Sequence, residues 1–194
     1  LQHDLGDLAE QHPLIELLEL TGAGGLNDRA IYCWPSDHPQ NLSGDADALR
    51  EADVIVCLDV IDINNTMGTY AIRRRSDILE ARDKEPPKII DISLNGIDNN
   101  SWTAFGGPTP PVDLQIVCEP QYGVDQLISA VRKTLERDDS SHGRIEARKK
   151  TLSARHDALR ARQTEKACAN WDAAPVTIER MIHEVYQAVK DKDW

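Results

Sequence analysis

The residues best placed to do chemistry stand where apolar runs stop. In "READVIVCLDVIDI", residues 50–63, a run of β-branched and apolar side chains ends on Asp59 and Asp62. "PPKIIDISLNG", residues 86–96, carries Asp91 and Ser93 at the same point, and "DLQIVCE", residues 113–119, ends on Glu119. An acid at the carboxyl end of a parallel strand can accept a hydrogen bond from a ribose hydroxyl, the chemistry of dinucleotide-type folds. Acids also end strands simply because loop residues are polar. Both readings stand at this point, with Asp59, Asp62, Asp91 and Ser93 as the candidate cofactor-binding residues.

Other groupings are weaker. "TGAGGL", residues 21–26, has three glycines but follows a helix-like segment. A phosphate cradle needs a strand before it and a helix start after it, so this cluster is expected to end a helix. Ser36, Asp37 and His38 are the three residue types of a hydrolase triad, but adjacent residues cannot converge as nucleophile, base and orienter. Arg73, Arg74 and Arg75 read as a solvated helix face. The six histidines and four cysteines (Cys33, Cys57, Cys118 and Cys168) show no ligand spacing. Neither a metal site nor a disulfide framework is expected from them, and a reducing, cytoplasmic compartment fits. No catalytic residue and no metal ligand is assigned.

Elements that would position the acids follow from periodicity. Residues 8–20 show near-helical apolar spacing, and residues 30–34 read as a short strand. A short helix at 45–52 is expected with Ser43 or Asp45 as its cap. Strands are expected at "DVIVCLDV", at Ile89–Ile92 and at "DLQIVCE", with helices at 68–82 and 123–136 between and after them. Apolar strands alternating with amphipathic helices imply an α/β fold: a parallel, Rossmann-like sheet with helices on both faces. Residues 1–137 form this domain. Residues 138–175 are strongly charged, with Ile145, Leu152 and Leu159 alone at heptad intervals. So thin a stripe reads as a partly helical linker lying on the surface of something else. Residues 176–194 give an amphipathic helix with Ile178, Met181, Ile182, Val185 and Val189 on one face and Thr177 as its cap.

Composition narrows the partners. The chain has 194 residues, enough for one domain with an appendage, and a formal net charge of −11. That charge argues against nucleic acid or an anionic membrane as the main partner. No apolar run approaches the roughly 20 residues of a membrane span. The chain opens on Leu1 and stops at "KDKDW", so both ends read as cuts through a longer polypeptide.

Four segments in order, "YCWPSDHPQNLSG", "LREADVIVCLDV", "PPKIIDISL" and "PPVDLQIVCEPQYGVDQLISAVRKTLE", resemble the central domain of thiamine diphosphate-dependent enzymes of the acetolactate synthase-like group. The tail "AAPVTIERMIHEVYQAVKDKDW" is similar to the lead into that family's cofactor-binding domain. The resemblance implies a 2-oxo acid decarboxylase or carboligase as the parent, using thiamine diphosphate and Mg2+ held by other domains. It implies a homo-oligomeric parent, dimer or tetramer, and a central domain that is commonly structural. Some members bind FAD or ADP there, through a glycine-arginine turn and an aspartate on a neighbouring strand. Here the turn falls on Leu58, Asp59 and Val60, without the glycine or the arginine, while the aspartate falls on Asp91. The competing expectation is an autonomous module binding FAD, ADP or NAD at the strand ends.

Overall fold

A computed structural model describes residues 13–26, 38–45, 47–60, 63, 66, 87–94, 111–138 and 140–189. Asp62, the expected strand at 30–34, the helix at 68–82 with its three arginines, and Cys33, Ser36 and Asp37 lie outside them.

Three strands form one parallel sheet in the order β1 (Val54–Leu58), β2 (Lys88–Ser93), β3 (Leu114–Val117). The register pairs Cys57 with Asp91 and Ile92 with both Leu58 and Ile116, so β2 is central. Five helices accompany them among the described residues: α1 (Pro13–Thr21), α2 (Ala48–Glu51), α3 (Pro120–Leu135), α4 (Ser141–Ala169) and α5 (Ile178–Val189). The chain is therefore α/β, as its alternating runs predict.

Side chains alternate across a strand, and this divides the core in two. One face carries Ile55, Cys57 and Ile89, packed with Ile63 and with Leu49 of α2. Against the other lie α1 and α3, where Leu17, Val124 and Ile128 are buried beside Leu58. The fit over β2 is close. A Cβ on Gly123 would stand 2.5 Å from Ile92 Cγ2, so only glycine lets α3 sit this low on the central strand. An ion pair from Arg132 to Glu16, 2.6 Å, ties α3 to α1 at the surface.

The "TGAGGL" cluster does end a helix. Gly22 takes φ +64 and its N–H closes back on the Leu18 carbonyl at 2.7 Å. At α2 the expected cap is displaced: Asp47 occupies the N-cap position and makes no side-chain cap bond. Asp45 instead accepts from the Asp47 N–H and is held by Arg155, so its carboxylate is committed elsewhere.

Within 138–175 lies the 29-residue helix α4. It docks on the chain's own body through more than its thin apolar stripe. Ile145 and Leu152 meet the backbone at Gly22 and Gly24, and Leu159 is buried. Between them run polar contacts: Lys149 to Glu19 at 2.6 Å, Arg148 to the Thr21 carbonyl at 3.1 Å, Arg155 to Asp45 and Glu51, and the buried His156 ring to the Asn41 carbonyl at 2.7 Å. After α4, Thr177 caps α5 by accepting the Arg180 N–H at 3.3 Å. None of the described helices is long and apolar enough to cross a membrane.

Candidate functional site

The carboxyl ends of the three strands bring Asp59, Asp91, Ser93 and Glu119 to one edge of the sheet. Each is delivered differently. Asp59 follows β1 directly, in a left-handed conformation with φ 51 that aspartate tolerates better than most residues. Its N–H donates to the Ile92 carbonyl at 3.0 Å, which extends the β1–β2 ladder by one bond and leaves the side chain half-buried. Glu119 is the N-cap residue of α3. Its carbonyl accepts from the Tyr122 and Gly123 N–H groups at 3.1 and 3.3 Å, while its exposed side chain makes no cap bond.

Asp91 and Ser93 form a different kind of pair. Both share the parity of Ile89, so both point into the sheet face that holds Ile55 and Cys57. Asp91 is 4% exposed and Ser93 fully buried. The Ser93 hydroxyl donates to Asp91 Oδ2 at 3.0 Å, while Oδ1 is buried without a partner of hydrogen-bond geometry. Burial pushes the Asp91 carboxyl above the ordinary carboxylate range, and the Asp59 charge adds to that; Ser93 and, more loosely, the Gln115 side chain work against it. Asp91 is thus a carboxyl inclined to keep its proton, inside the sheet layer.

This arrangement limits what the edge can do chemically. A ribose hydroxyl would have to reach an oxygen that is enclosed by protein, so the pair is suited to holding β2 in place. The acids with solvent access are Asp59 and Glu119. Among the described residues no three histidine, cysteine or acidic side chains come together to hold a metal ion. Of the two Asp91 oxygens, Oδ2 is engaged by Ser93 and Oδ1 is buried.

Sequence reasoning gathered the strand-end acids but missed Gln115, which the register places beside Asp91. Strand parity was the available signal for it, and for the inward aim of Asp91. No family model, no curated protein and no solved structure matches the chain.

Proposed function

We propose that this chain is the central α/β domain, with its connecting helices, of a cytoplasmic thiamine diphosphate-dependent decarboxylase or carboligase of the acetolactate synthase-like group. Its work is to hold neighbouring domains in place; bond-breaking belongs elsewhere in a homo-oligomeric enzyme. The observation that carries the reading is the orientation of α5. Its polar side lies on Trp171: the Arg180 guanidinium stacks 4.5 Å from the indole centroid and donates to the Trp171 carbonyl, and His183 meets the ring edge at 6.1 Å. Its apolar side faces outward, with Ile178, Met181, Ile182 and Val185 between 49% and 68% exposed. An amphipathic helix held by its polar face presents the other one to further protein.

Thiamine diphosphate, when bound by such an enzyme, supplies the carbanion chemistry on a 2-oxo acid. This chain's own share is to fix spacing and supply surface. The test is to incubate the purified chain with thiamine diphosphate, Mg2+ and pyruvate and follow carbon dioxide release. The reading expects no turnover above the cofactor blank, and robust turnover refutes it.

A second reading, a nucleotide-binding module, is favoured by one observation, the buried Asp91 Oδ1 that lacks a partner. Calorimetry with FAD and NAD discriminates. Micromolar binding that disappears in Asp91→Ala supports the module, and no binding leaves the scaffold.

A further inference from the structure

A cleft of about 410 Å3 lies between Gly44, Asp45 and Asp47 and one stripe of α4, and none of the strand-end acids lines it. Its charged lining is Asp45, Asp47, Arg155, Arg162 and Lys166, with the Gln163 amide between the last two. The acids are already neutralised from within. Arg155 grips Asp45 with two bonds, one of them Nη2 to Oδ1 at 3.0 Å, and Arg50 Nη1 holds Asp47 at 2.7 Å. Burial would raise Asp45, but bonds from Arg155 and the Asp47 N–H, with the charges of Arg155 and Arg162, hold it below the ordinary carboxylate range.

Arg162 and Lys166 stand one helical turn apart and exposed, Arg162 close enough for its charge to act on Asp45. Among the described residues neither makes an ion pair or a hydrogen bond. Arg160 donates to Gln163 Oε1 at 3.3 Å, which occupies the acceptor of that amide. Its Nε2 donor then lies 3.7 Å from where a Cβ on Gly44 would stand, on the cleft side. The cleft is therefore lined by a guanidinium fork, an ammonium and an amide donor, with Leu159 as an apolar floor, in a chain whose net charge is −11. A volume of this size accepts a small molecule.

We propose that this cleft binds a phosphate-bearing small molecule, with Arg162 taking two phosphate oxygens, Lys166 a third and Gln163 a fourth. A guanidinium fork matches phosphate geometry, and a lysine beside it adds a compact charge. The site is independent of the scaffold reading, since it uses none of the strand-end residues and none of α5.

The test is calorimetry on the full chain at low ionic strength with inorganic pyrophosphate as the probe. Arg162→Gln and Lys166→Gln are exposed substitutions that leave the docked side of α4 intact, which helix content by circular dichroism checks. Each is expected to weaken pyrophosphate by about three- to fivefold, the size of one exposed charge pair, and the double variant by more than about tenfold. Orthophosphate and ADP as further probes tell a bare phosphate from a nucleoside diphosphate, and binding of either at the same two residues supports the class. Absence of saturable binding up to about 10 mM, affinity unchanged in the double variant, or citrate binding as well as pyrophosphate overturns the proposal.

Discussion

Placing a methyl group on Gly123 tests how α3 rests on the central strand. In Gly123→Ala the new Cβ would stand 2.5 Å from Ile92 Cγ2 and 3.1 Å from Cys118 Sγ, so α3 must lift or Ile92 must turn. Overpacking of this kind costs about 2 kcal/mol, and replacing a helical glycine with alanine returns about 1, so the single variant should lose about 1 kcal/mol. Ile92→Ala empties a site that is 1% exposed and should lose about 3 kcal/mol. In the double variant the obstructing methyl is gone and the new one fills part of the cavity. The helix-propensity gain then appears undiminished, and the total loss should be about 2 kcal/mol, less than Ile92→Ala alone. The coupling is therefore about 2 kcal/mol in the favourable direction, well above the scatter between independent sites. Urea unfolding followed by circular dichroism and tryptophan fluorescence reads all four proteins, with coincident transitions as the check on two-state behaviour. Losses that simply add to within about 0.5 kcal/mol would refute the packing of Gly123 on Ile92.

Other consequences can be read the same way. Arg155→Met leaves the buried Asp45 carboxylate without its two guanidinium bonds, a loss of about 2 kcal/mol seen as a lower urea midpoint with faster amide exchange at the docked side of α4. Because Asp45 is held below its ordinary range in the fold, that contribution is present at neutral pH and fades as pH falls through its depressed pKa; the variant should show a flatter acid limb. Asp91 has the opposite sign. Its raised carboxyl binds a proton more tightly in the folded chain, so its contribution falls as pH rises from the ordinary carboxylate range through the raised value, and Asp91→Asn should flatten that decline in urea midpoints. Met181→Asp on the outward face of α5 should change stability by less than about 0.5 kcal/mol, whereas Arg180→Ala should raise hydrogen exchange throughout α5 by freeing it from Trp171.

"DVIVCLDV" and "KIIDIS" were legible as apolar runs of the kind a covered parallel strand demands, whereas β3 leaves Leu114, Ile116 and Val117 exposed and was legible through its Ile116–Val117 pair. Helices α1 and α3 were legible through the spacing of Leu8, Ile15 and Leu18 with Leu14 and Leu17, and of Leu127, Val131 and Leu135. The docking of α4 was not. Periodicity counts apolar residues, and this helix is held largely by Lys149, Arg155 and His156 reaching acids and carbonyls more than 100 residues away in the chain. The cap of α2 was misplaced for the same reason, since nothing local says that Asp45 is claimed by Arg155. At the sheet edge the sequence brought Asp59, Asp91, Ser93 and Glu119 together, and the structure separates them into an inward pair and two solvent-facing acids. That division turns on strand parity, which becomes decisive only once Ile89 is known to be buried on the same face. The cleft beneath α4 joins Gly44, Asp45 and Asp47 to residues between Arg155 and Lys166, and no local pattern joins such distant stretches.

The sharpest measurement is the titration of Asp91 itself, by 13C NMR of its side-chain carboxyl with and without FAD and NAD. An inward carboxyl that serves the sheet should titrate above the ordinary aspartate range and keep the same curve when either nucleotide is added. A normal or depressed value would mean that this acid is solvated or charge-paired and not enclosed in the sheet, and a curve that moves with nucleotide would mean that the chain is built around a binding site.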